Sequence, residues 1–88
     1  MEREPKTIEQ IRNMIKAARD SVWVIGNEIE KISSSGTLSK EGRGNISRNV
    51  EHLKIIVADT EISGSGEEIG DLSAAITSGE QALQNNPE

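Results

Sequence analysis

Apolar residues recur at Ile8, Ile11, Ile15, Ala18, Val22, Ile25, Ile29 and Ile32, in alternating steps of three and four. That spacing gathers them on one stripe of a helix, whereas a half-buried strand would alternate in twos. Thr7 and Gln10 form a capping-box pair ahead of the stripe, and Ser33-Ser34-Ser35-Gly36 supplies turn residues behind it. The pattern predicts a first helix over residues 7–33. A second seam, Ile46, Val50, Leu53, Val57 and Thr60, predicts a helix over residues 45–62. Its start is set at Asn45 because Gly42 and Gly44 each weaken a helix by about 1 kcal/mol relative to Ala. A third seam, Ile69, Leu72, Ile76, Gly79 and Leu83, has Ala75 and Ala82 alongside. Ser65 and Glu68 read as a capping box in front of it, predicting a helix over residues 66–85 that Asn85-Asn86-Pro87 closes.

Three helices with one apolar stripe each, joined by short polar turns, predict an all-α fold. The expected arrangement is an up-down-up three-helix bundle forming a single domain over residues 1–88. The first helix offers a competing way to close the core. It carries Ile at three of four a positions and three of four d positions. Ile at both favours trimeric or tetrameric coiled coils. With 88 residues the core is small, and homo-oligomerisation would add burial.

Composition narrows the function. There is no cysteine, so disulfides and thiolate metal sites are ruled out. The longest apolar runs, Val22-Trp23-Val24-Ile25 and Ile55-Ile56-Val57-Ala58, are too short to span a bilayer, and MEREPKTIEQ lacks the apolar core of a signal peptide. A soluble, cytoplasmic protein is expected. Trp23 is the only aromatic residue, against 12 Ile, 4 Leu and 4 Val. Ligand pockets and base-stacking platforms use aromatic rings, so their near absence argues against both. Charge is uneven: residues 1–54 carry a net +2 and residues 55–88 a net −7 with no basic residue at all. A surface of that sign repels nucleic acid and anionic membrane and attracts a basic partner.

The stretch DTEISGSGEEIGD, from Asp59 to Asp71, has the densest candidate chemistry, with five acids and three glycines. As a calcium loop it begins well: Asp59, Glu61 and Ser63 fall on the first, third and fifth positions and Gly64 on the sixth. The twelfth position is Gly70, so the bidentate carboxylate is missing. As a phosphate cradle it lacks a preceding strand and a following Lys, and Glu67 and Glu68 would repel the anion. The remaining reading is a helix–helix joint whose acids serve the positive end of the next helix.

Catalytic chemistry has little to work with. His52 is the only histidine, which rules out a two-histidine metal site within one chain, and it falls opposite the second seam, where solvent is its expected environment. No enzyme activity, cofactor or metal is assigned. The segment GRGNISRNVEHL, residues 42–53, resembles the recognition helix of winged helix-turn-helix repressors. That resemblance implies major-groove readout by Arg43, Asn45, Ser47, Arg48 and His52. It covers about a dozen residues. The segment from Ser33 to Glu41 is too short and polar to be the motif's first helix, and an acidic stretch follows instead of a β-wing.

The expected function is therefore a small, acidic, non-enzymatic protein-interaction module: an adaptor, an assembly subunit or an inhibitor of a basic-surfaced protein. A DNA-binding regulator using residues 43–54 is the alternative. Ile55 and Ile62, seven apart on the back of the second helix, are the expected hydrophobic contacts. Trp23 lies beside the first seam; edge packing is its simplest reading and partner contact the second. Gly26, one turn on, is expected to admit a neighbouring backbone or make room for the indole. Glu67, Glu68 and Asp71 are expected to steer a basic partner.

Overall fold

The computed structural model describes residues 5–86. They are all-helical: α1 (Ile8–Ser35), α2 (Lys40–Ala58), α3 (Thr60–Ser63) and α4 (Gly70–Asn85). The three long helices pack on one another, and α3 packs against α2. The ends of the predicted domain, including Pro87, lie outside the described residues.

α1 starts as its sequence requires. Thr7 Oγ1 accepts from the Gln10 N–H at 3.1 Å, and Gln10 Oε1 accepts from the Thr7 N–H at 2.9 Å. The helix runs two residues past the predicted end. Gly36 stops it in the left-handed conformation, φ 81°, with its N–H on the Ile32 carbonyl at 2.7 Å.

α2 begins earlier than predicted. Ser39 is the N-cap, its hydroxyl accepting from the Gly42 N–H at 2.9 Å. Gly42 is buried, and a Cβ there would stand 2.5 Å from Glu28 Oε2. The helix penalty of this glycine is thus accepted because α1 and α2 touch at that point. Glu28 itself is buried, at 6% exposure. Its carboxylate sits at the N-terminal turn of α2, where the helix dipole favours negative charge, and Lys31 Nζ donates to its other oxygen at 2.8 Å. That hydrogen bond, and then the Glu28 charge, holds Lys31 above the ordinary lysine range.

The second predicted helix does not reach residue 62. It breaks at Asp59, whose backbone is extended, ψ 116°. The Asp59 carboxylate accepts from the N–H groups of Glu61 and Ile62 at 2.9 and 3.4 Å, so the side chain replaces the helical partners and starts α3 afresh. The capping box expected at Ser65 is not used. Ser65 Oγ donates to the Ile62 carbonyl at 2.6 Å, and Gly66 takes φ 84°, which no helix can include. α4 consequently starts at Gly70, behind Ile69.

The core joins the three stripes. Ile11, Ile15, Ala18 and Ile25 meet Ile46, Val50, Leu53 and Ile56, with Leu72, Ala75 and Ala82 from α4 and Ile62 from α3. Each large side chain here contributes about 1.5–3 kcal/mol by leaving water. Gly79 lies at the closest approach of the three helices, where a Cβ would meet Val50, Ile46 and Ile25. Gly26 is the reverse case: a Cβ there would meet nothing within 4 Å. The expectation that Gly26 admits a neighbour is therefore not met within the chain. Gly26→Ala is expected to raise stability by about 1 kcal/mol, the helix-propensity difference, read as a higher urea midpoint at unchanged slope.

Candidate functional site

Ion pairs tie the acid-rich stretch to the basic flank of α1. Lys6 Nζ lies 2.9 Å from Asp59 and 3.8 Å from Glu61, and the Lys6 N–H donates to Glu61 at 2.7 Å. Arg12 pairs with Glu67. Arg19 pairs with Asp71 at 3.1 Å and donates to the Glu68 carbonyl at 3.0 Å. On the other side of α4, Lys54 pairs with Glu80 at 2.9 Å, which raises its pKa above the lysine range. The stretch is a joint, as expected, but its acids answer to α1 as well as to a helix dipole. Glu67 and Asp71, predicted to steer a partner, already have cationic neighbours; Glu68 Oε1 accepts from the Gly70 N–H at 3.1 Å.

Most of these pairs are exposed and contribute little singly. Lys6–Asp59 is the most sheltered. The Lys6 hydrogen bond, helped by the N–H groups of Glu61 and Ile62, holds the Asp59 carboxyl below the usual carboxylate range. A depressed folded-state pKa contributes stability that is present above the unfolded value, about 3.9, and is lost as pH falls through the folded value. Asp59→Asn is expected to flatten this part of the acid limb, so that wild type and variant converge as pH falls below the folded-state value of Asp59. Urea titrations from neutral to acid pH read it directly.

The predicted contact residues separate. Trp23 is 69% exposed on the outer face of α1, not packed at an edge, because α2 and α4 take the sides of the helix that flank Ile25. Ile55 is 68% exposed on the outer face of α2. Ile62 is fully buried, which corrects its assignment to a contact surface. The sequence reading ran one helix through both isoleucines; the break at Asp59 turns Ile62 inward.

His52 also departs from expectation. It is half-buried, and its Nδ1 lies 2.9 Å from Ser21 Oγ across the α1–α2 contact. The two have the spacing of a nucleophile and its base, but Ser21 is only 5% exposed and no carboxylate hydrogen-bonds the histidine among the described residues. The pair reads as a buried hydroxyl satisfied by an imidazole. Of the other predicted DNA readers, Arg43 donates to the Asn86 carbonyl and Arg48 to Asn45 Oδ1 at 2.7 Å. Ser47 and Arg48 are exposed; Arg43, Asn45 and His52 are half-buried. The five do not share one surface, and Glu51 and Ile55 occupy the outer face of α2.

A concavity of about 690 Å³ opens beside the α1–α2 turn and is lined by Asn27, Glu28, Lys31, Ser35 and Leu38, among others. Its charged pair, Glu28 and Lys31, is engaged with itself. A smaller groove of about 320 Å³ runs between α1 and α4, lined by Val22, Ile25, Gly26, Ile29, Asp71, Ala74, Ala75 and Ser78. Sequence reasoning missed it; the signal available was Gly26 beside the seam and the Ala74-Ala75 pair. Among the described residues no group of three or more His, Asp or Glu is placed to hold a metal ion, and no helix is long and apolar enough to cross a membrane.

The described residues thus form a small helical protein that leaves three large hydrophobic side chains, Ile8, Trp23 and Ile55, exposed. Comparison with protein-family models, curated proteins and solved structures gives no match to this chain.

Proposed function

We propose that this chain is a non-enzymatic protein-interaction module of the cytoplasm, folded as an up-down-up three-helix bundle. The direction of the helices is supported by their cross-contacts. Ser21 meets His52 while Glu28 meets Gly42, so α1 and α2 run oppositely; Arg19 meets Asp71 while Ile25 meets Gly79, so α1 and α4 run together. The observation that carries the functional reading is Trp23. The one aromatic side chain of the protein is left in water on a helix whose inner face is already filled. Trp is the residue type most enriched at binding hot spots. Ile55 is a second anchor on another helix, and the net charge of −5 favours a basic partner there. The DNA-binding reading has less support, since its five residues are dispersed.

A benzophenone-bearing residue, which keeps an aromatic ring at position 23 and apolar surface at position 55, placed at either position in the cells that make the protein, tests this. Adducts at either position are expected. Absence of any adduct at both would remove the interaction reading.

A further inference from the structure

We propose that the outer face of α1 pairs with the same face of a second copy, antiparallel, around Trp23. This rests on the reading of the chain as an interaction module and names its partner at one of the two anchors.

Lys16, Trp23 and Glu30 are spaced by seven residues and are all exposed. Seven residues make about two helical turns, so the three share one stripe, each charge about 10 Å from the indole along the axis. Lys16 and Glu30 have no ion pair among the described residues, whereas Arg12 and Arg19 beside them are paired to Glu67 and Asp71. The stripe therefore has a free cation at one end, a free anion at the other and an aromatic ring between.

Such a stripe is self-complementary in one sense only. When two copies cross antiparallel at Trp23, Lys16 of each faces Glu30 of the other, forming two equivalent pairs about a two-fold axis. A parallel crossing would oppose Lys16 to Lys16 and Glu30 to Glu30. A shallow crossing near 20° keeps both pairs within side-chain reach. The groove fits the same arrangement. It starts one turn from Trp23, presents a mainly apolar surface although Asp71, held by Arg19, and Ser78 also line it, and has at Gly26 a position with no side chain and open space above it. The indole of the second copy can lie there against Val22 and Ala74. Pairing of one helix face buries less than a standard interface, so micromolar or weaker affinity is expected.

Sedimentation equilibrium of the full chain, from micromolar to near-millimolar concentration, tests the pairing with four variants. All four change exposed side chains outside the core, and helical circular dichroism verifies their folding. Trp23→Ala is expected to weaken the dimer roughly thirtyfold. Lys16→Glu and Glu30→Lys each set two like-charge pairs against each other and are expected to weaken it tenfold or more at low salt. The double reversal, Lys16→Glu with Glu30→Lys, is expected to restore it to within about threefold. A monomer throughout, a dimer indifferent to Trp23→Ala, or a double reversal no better than the singles overturns the pairing. The crosslink at position 23 separates the two levels. An adduct of twice the chain mass supports the pairing. A heterologous adduct there overturns it and leaves the interaction reading standing. No adduct at 23 or 55 removes both.

Discussion

Gly79→Leu is expected to leave this chain without a cooperative unfolding transition. Gly79 is buried where α4 crosses both other long helices. A Cβ on it would lie 2.5 Å from Val50 Cγ2, 3.3 Å from Ile46 Cγ2 and 3.4 Å from Ile25 Cγ2. Those three side chains are at most 2% exposed, so none has solvent to retreat into. Val50 and the isoleucines are β-branched and stiff at χ1, which removes the easy rotamer escape. Overpacking by a few methylenes costs about 1–3 kcal/mol, and leucine adds four heavy atoms at the tightest point. A chain of 88 residues has little stability in reserve, roughly 0.05–0.15 kcal/mol per residue. The helices must therefore separate or the fold is lost.

The cause can be isolated. Gly79→Ala gains about 1 kcal/mol of helix propensity but still meets Val50, and a net loss of about 1–2 kcal/mol is expected. In a Val50→Ala background the opposing methyl is gone, and the same Gly79→Ala change is expected to stabilise. Urea denaturation of the four proteins gives the coupling energy. An additive result would mean that Gly79 is not the point of contact. Gly26→Ala serves as the control, since the same substitution in open space carries the propensity gain alone.

Ile62→Ala is expected to cost about 2–5 kcal/mol, and Ile55→Ala less than about 0.5 kcal/mol. Both residues sit behind the second seam in the sequence, yet one is fully buried and the other 68% exposed. Removing Ile62 leaves a cavity in the core beneath the short α3, whose remaining ties include the polar ones of Lys6 to Asp59 and Glu61. Removing Ile55 takes apolar surface out of water and breaks nothing in the monomer. Equal costs would return the two isoleucines to one helix face and contradict the break at Asp59. The same pair separates folding from binding: a partner that docks on α2 loses affinity with Ile55→Ala while the urea midpoint stays put.

The limits of the sequence reading trace to particular side chains. The Ser65 capping box and the Asn45 start were read from local propensity, and both gave way to something non-local or competing. By propensity Gly42 weakens a helix, but its lack of a side chain lets Glu28 reach the α2 N-terminus. By local pattern Ser65 caps the next helix, but its hydroxyl closes the end of α3 instead. His52 was placed in solvent because only one stripe of the helix was assigned to the core. A helix flanked by two neighbours buries a wider arc, and the arc reached Ile56 and His52.

The helical class and most of the inward-facing residues follow from the sequence alone. Ile11, Ile15, Ala18 and Ile25, then Ile46, Val50 and Leu53, then Leu72 and Gly79 are buried as their spacing requires, because the 3.6-residue period fixes a face without reference to any partner. The third stripe is turned from its predicted line: Ala75 and Ala82 beside it are buried, while Ile69, Ile76 and Leu83 on it are half-buried, and Ile8 at the head of the first stripe is exposed. Only the tertiary structure decided what becomes of the residues beside the stripes. Whether Trp23 packs or stands in water, whether Ile62 is core or surface, and which cations meet the acids of residues 59–71 depend on where the neighbouring helices lie and on one break at Asp59. Those are set by competition among contacts distant in sequence, which periodicity along a single helix does not encode.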